Sequence, residues 1–129
     1  WEGKLESEIK EKWPKLLEDW HNKPEMVIMP EGESIKDVFE RSTKAFEEIC
    51  RSQEDKDVTL LVAHDAVNKT LICNILGIDF SNIWMIKQGN GGITIIDIFN
   101  DPDKENVISA LNITTHLGGI LDSTASGAL

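Results

Sequence analysis

A histidine, an aspartate and a lysine sit close together in the segment VTLLVAHDAVNKTLIC, residues 58–73. His64 can carry positive charge, or give and take a proton near pH 7. It stands where an apolar run stops and a helical pattern begins. A helix N-terminus attracts anions through its unpaired N–H groups and its macrodipole. An imidazole beside such a cradle suits a phosphate or phosphoryl group. Each of these residues also has a plain structural use. A histidine at a strand end can be a hydrogen-bonded core residue. An aspartate such as Asp65 directly before a helix is an ordinary N-cap. Ionised and turned toward a phosphate, Asp65 would repel it, so its chemical alternative is a protonated carboxyl donating to a leaving group. Lys69, one turn later, either steers anions or is a solvated helix lysine.

The elements around this point are legible from periodicity. Val58 to Ala63 form a continuous β-favouring run, as in a parallel strand buried on both faces. Ligands in open α/β sheets bind beyond the carboxyl ends of such strands. Residues 66–76 read as a helix with Gly77 at its C′ position. Upstream, Ser34 and Asp37 make an S-x-x-D capping signature. Ile35, Val38, Phe39, Phe46 and Ile49 then predict a helix over 35–52. Leu5, Ile9 and Trp13 mark a short helix, and Leu16, Leu17 and Trp20 a second one after Pro14. The segment 78–92 is irregular, with a short strand expected near 85–87. ITIIDIF (93–99) and VISALNI (107–113) read as antiparallel strands. Trp1, Trp13, Trp20 and Trp84 are assigned to the core. Residues 118–129 are small and polar and are expected to be a disordered tail. The order of elements indicates an α/β architecture with the 58–63 strand inside the sheet.

The net charge of −10 argues against nucleic acid and anionic membranes as partners. No apolar run is long enough to span a bilayer as a helix. Cys50 and Cys73 fall on apolar faces of expected helices, so buried free thiols and a cytoplasmic location are the expectation. No C-x-x-C or H-E-x-x-H pattern is present, and no metal site or cofactor is expected.

Four stretches together resemble one family. LLVAHDAVNKTLICNILGI resembles the C-terminal histidine motif of the histidine phosphatase superfamily, the phosphoglycerate mutase-like proteins. WEGKLESEI is similar to that family's G-x-W-E-G segment, and PEGESIKDVFER to its G-E-S loop and the helix after it. QGNGGITIIDI followed by LNITTHL is similar to the closing strands of cyanobacterial and plant members. The resemblance implies a three-layer α/β/α fold and a phosphorylated small-molecule substrate. It implies a nucleophilic histidine in an R-H-G motif and a phosphohistidine intermediate. His64 would be the second histidine, stabilising charge on the phosphoryl group beside two arginines. A glutamate upstream of W-E-G would be the proton donor.

This sequence contains no R-H-G, and its arginines are Arg41 and Arg51. Residues 1–117 are therefore expected to be the C-terminal part of such a domain, lacking its N-terminal strands. The partner would be the N-terminal segment of the same polypeptide. The isolated chain is expected to be inactive. The other reading is a non-catalytic α/β module that binds a phosphorylated ligand or a protein. Asp65 departs from the glycine of many mutase-type members and is similar to the H-D dipeptide of the acid phosphatase branch, where it donates a proton. Glu33 and Ser34 match the loop that borders the pocket in the family, with Ser34 also a helix cap. Asn90, between glycines, either brings backbone near the site or marks a plain turn.

Overall fold

The computed structural model describes residues 1–118, apart from residues 2, 55, 100 and 102. Two short helices open the chain, α1 (Glu6–Lys12) and α2 (Pro14–Asn22). In α1 the Glu8 carboxylate accepts the Leu5 N–H at 2.7 Å, closing the first turn. Pro14 begins α2, where its missing N–H costs nothing. A 3₁₀ turn at Pro24–Met26 leads to the long helix α3 (Ile35–Ser52). Its start is the expected capping box. Ser34 Oγ accepts the Asp37 N–H at 3.2 Å, and Asp37 Oδ2 accepts the Ser34 N–H at 2.9 Å.

Helix α4 (Asp65–Ile75) packs on α3, and a buried contact at 3.1 Å joins the Ser42 and Thr70 hydroxyls between them. It ends as Gly77 requires. That glycine has φ 63°, the Gly77 N–H reaches Asn74 O at 3.1 Å and the Ile78 N–H reaches Cys73 O at 3.0 Å. This pair of bonds satisfies the last carbonyls in a Schellman motif. A 3₁₀ helix (Phe80–Met85) follows, then β1 (Ile93–Asp97), β2 (Val107–Ile113) and a 3₁₀ turn at Thr115–Leu117.

The core joins Ile9, Leu17, Trp20, Val27, Ile35, Ile72, Cys73, Ile83 and Ile86, with Trp1, Trp13 and Trp84 packed against it. Trp20 meets Trp84 edge-on at 5.1 Å, and the Trp84 indole N–H donates to Trp20 O at 2.8 Å. Both cysteines are free, Cys73 buried and Cys50 half-buried. Burial pushes both thiols above their ordinary range.

β1 and β2 pair antiparallel, with Ile93 opposite Ile113, Ile95 opposite Ala110 and Asp97 opposite Val107. Three expectations are corrected. Residues 58–63 do not form a buried strand. They join no ladder, and Val58, Leu60 and Val62 are 97%, 83% and 87% exposed. An apolar run becomes a buried strand only where neighbours pair with it, and the one sheet among the described residues is β1–β2. The strand near 85–87 is absent; the 3₁₀ helix runs to Met85 instead, started by Asp79, whose carboxylate accepts the Ser81 N–H at 2.8 Å. Asp65 is not the N-cap of α4. That position is His64, at φ −74° and ψ 159°. Among the described residues no helix is long and apolar enough to cross a membrane. Of the expected tail, residues 119–129 lie outside the described residues.

Candidate active site

A groove of about 1090 Å³ is lined by residues 58–63, the last turn of α3, the first turn of α4 and residues 88–99. His64, Asp65 and Asn90 all face it. Glu33 and Ser34 do not line it. Ser34 is engaged in the α3 cap. Glu33 grips Arg41 through two bonds of 2.6 and 2.9 Å, and this grip raises the pKa of the Arg41 guanidinium above its ordinary value.

His64 is placed by the switch from extended chain to helix. Its carbonyl accepts the Asn68 N–H at 3.0 Å, and the Asn68 side-chain amide donates back to Ala63 O at 3.2 Å. The turn is thus pinned on both sides, while the His64 ring is exposed. Among the described residues no side chain caps α4. Its first-turn N–H groups therefore lack a side-chain acceptor beside that ring. An exposed imidazole next to open helix N–H groups is an anion-binding arrangement.

Asp65 is the first residue of α4 and is turned along the helix. Its Oδ2 lies 2.8 Å from Lys69 Nζ, with the two side chains 20% and 7% exposed. The contact is one of charge, because neither carboxylate oxygen accepts a well-aligned hydrogen bond. Lys69 Nζ also sits 4.7 Å from the Trp84 ring centroid. Lys69 is therefore a buried, paired lysine, not a solvated one, and it does not line the groove.

The opposite wall carries residues 88–92. The Gly92 N–H reaches Gly89 O at 2.9 Å, and Gly91 has φ 73°, which makes Gly89–Gly92 a type II turn with Asn90 at its exposed tip. Gln88 Oε1 is shielded from solvent and has no partner among the described residues. Gln88, Asn112 and His116 fall in stretches that resemble the family but carry no local signal of their own. Only the Asp65–Lys69 pair had a local signal, its i,i+4 spacing. Among the described residues no group of three or more His, Cys, Asp or Glu could hold a metal ion.

A family description, histidine phosphatase superfamily (branch 1), matches residues 1–114. The chain belongs to the histidine phosphatase superfamily. Phosphoserine phosphatase 1 of Hydrogenobacter thermophilus is 33% identical over 118 residues, 92% of this chain and 54% of that protein. A 2-carboxy-D-arabinitol-1-phosphatase of Triticum aestivum is 30% identical over 101 residues, 78% of this chain and 20% of that protein. Bacillus stearothermophilus YhfR superposes with a TM-score of 0.74 at 24% identity, covering 84% of this chain and 52% of that one. The fold is therefore the α/β, phosphoglycerate mutase-like fold of the histidine phosphatases. The chain spans about half the length of the phosphoserine phosphatase and of YhfR.

Proposed function

We propose that the protein to which this chain belongs is a phosphomonoester hydrolase of the histidine phosphatase type, with His64 as the charge-stabilising histidine. A histidine nucleophile attacks phosphorus and the ester oxygen leaves with a proton. Water then attacks the phosphohistidine and releases orthophosphate. His64 donates a hydrogen bond to the non-bridging phosphoryl oxygens as their charge redistributes, and the first-turn N–H groups of α4 assist it. In this reading the nucleophile of an R-H-G motif, both pocket arginines and the glutamate donor are supplied by the rest of the intact polypeptide, since these 129 residues contain no R-H-G.

The observation that carries this reading is the placement of His64: exposed, at the uncapped N-terminus of α4, in the wall of a groove. Two further facts support it. Curated relatives carry phosphatase names. The groove runs past an apolar segment, 58–63, whose backbone forms no ladder and so stands ready to pair with further strands. Hydrolysis is favoured over mutase action because the relatives' names describe phosphatases. Asp65 serves to hold Lys69 and the start of α4.

The test uses the intact polypeptide. Substitution His64→Ala is expected to lower kcat for phosphomonoester hydrolysis about 1000-fold, the scale of one lost oxyanion contact. Acid-quenched samples from labelled substrate are expected to show phosphohistidine. Turnover unaffected by His64→Ala sinks the reading. Accumulation of an isomerised phosphate ester in place of free phosphate makes the protein a mutase.

A further inference from the structure

We propose that Asn112 and His116 are positioning residues for this site. They hold the 88–92 turn so that it meets the part of the substrate beyond the phosphoryl group. The inference rests on the phosphoryl-transfer reading above and adds residues and a substrate feature to it.

The argument starts in the β1–β2 ladder. From the Ile95–Ala110 pair to the Ile93–Ile113 pair, β1 advances two residues and β2 three. The extra residue makes a bulge, and Asn112 within it has φ 53°. A left-handed residue in a bulge sends its side chain out of the regular alternation, and asparagine tolerates that conformation better than most residues. Here the side chain is sent to the turn. Asn112 Oδ1 accepts the Gly89 N–H at 2.7 Å, while its own N–H donates to Thr94 Oγ1 at 3.2 Å. Gly92 leaves room for this contact, since a Cβ there would lie 2.4 Å from Asn112 Oδ1.

His116 makes a second brace. Its Nε2 lies 3.0 Å from Gly91 O, which needs the proton on Nε2. Leu117 packs beside Gly91, within 3.4 Å of where a Cβ would be. The turn contains Gly89, Gly91 and Gly92, so alone it has wide backbone freedom. Two side chains from the end of β2 and the segment just after it, which lie beside the start of β1, remove that freedom, one at the Gly89 N–H and one at the Gly91 carbonyl.

What the braced turn offers is an acceptor. Gln88 precedes the turn and lines the groove it shares with His64, and its Oε1 has no partner among the described residues. A buried acceptor calls for a donor. The matching substrate is a phosphomonoester whose carbon skeleton bears a hydroxyl or ammonium group.

The experiment is a steady-state comparison in the intact polypeptide. Asn112→Gly removes the acceptor while fitting the left-handed backbone, and His116→Ala removes the second brace. With an amino- or hydroxy-substituted phosphomonoester, each is expected to raise KM about tenfold and to leave kcat within about threefold. Asn112→Asp, which keeps an acceptor oxygen, is expected to restore KM. With p-nitrophenyl phosphate, which lacks the skeletal donor, KM is expected to hold. Gly91→Ala strains the turn without touching β2 and is expected to reproduce the KM rise, whatever the fate of the Asn112 variants. Amide exchange at Gly89 reports the brace directly and is expected to quicken in Asn112→Gly. An unchanged KM in variants whose Gly89 exchange has quickened overturns the proposal and leaves the role of His64 standing. Loss of any effect of His64→Ala overturns the phosphoryl-transfer reading itself.

Discussion

Lys69 Nζ lies 2.8 Å from Asp65 Oδ2 and 4.7 Å from the Trp84 ring centroid, so the residue after His64 is held from inside the fold. The pair fixes the start of α4 to the packing around Trp84. It is an ion pair only while Asp65 is ionised, so a proton-donor role would require the pair to break. Lys69→Met leaves the carboxylate buried without its cation and is expected to cost about 3 kcal/mol in denaturant unfolding. Adding Asp65→Asn to that variant is expected to recover most of the loss. In the intact polypeptide, Asp65→Asn alone is expected to retain most of its kcat. A hundredfold fall confined to substrates with poor leaving groups would instead identify Asp65 as the acid.

The α3 cap predicts an acid sensitivity with a defined sign. Hydrogen bonds from the Ser34 hydroxyl and then its backbone N–H hold the Asp37 carboxyl below its ordinary 3.8. A depressed folded value contributes stability above 3.8, and that contribution is lost as pH falls through the folded value. Melting curves of the unaltered chain and of Asp37→Asn are expected to differ at neutral pH and to converge in acid. Ser34→Ala is expected to cost about 1 kcal/mol at neutral pH. A gap that widens on acidification contradicts this assignment.

The thiols predict slow chemistry. Burial raises both, with Asp79 adding to the effect at Cys73 and Glu47 at Cys50. An aromatic disulfide reagent at neutral pH is expected to modify Cys50 slowly and Cys73 only as fast as the chain unfolds. Fast labelling of Cys73 in the folded chain would mean that α4 does not pack as described.

The 129 residues alone are expected to release no phosphate from any monoester, because His64 and helix N–H groups stabilise a transferring group but do not attack it. A colorimetric phosphate assay on pure chain checks this. Sustained turnover abolished by His64→Ala would make His64 the nucleophile and move it out of the supporting role.

Local signals were legible where one element carries them whole. Ser34, Asp37 and the 3.6-residue stripe of α3 specify that helix at both ends, and Pro14 and Gly77 punctuate α2 and α4 in the expected places. The β1–β2 hairpin follows from two apolar runs around a polar turn. The 58–63 segment could not be placed by its composition, since a strand is a property of a pair and VTLLVA carries only half of it. His64 was legible as a residue at the start of a helix, though the strand expected ahead of it is not formed, and its immediate role as N-cap position and Asp65's turn toward Lys69 depend on where helix α4 begins by one residue. Asn112 and His116 gave no signal, because a brace across the sheet depends on a bulge that no short pattern announces.

Residues 58–63 carry a consequence for handling the molecule. Six neighbouring residues without charge or proline, bare to water, are the makings of a cross-β stack in which copies lie in register. The net charge of −10 pushes copies apart, and that push weakens as counter-ions accumulate. Purified chain should stay dispersed in dilute buffer and turn thioflavin-positive as ionic strength is raised, with a lysine at Leu60 enough to stop it.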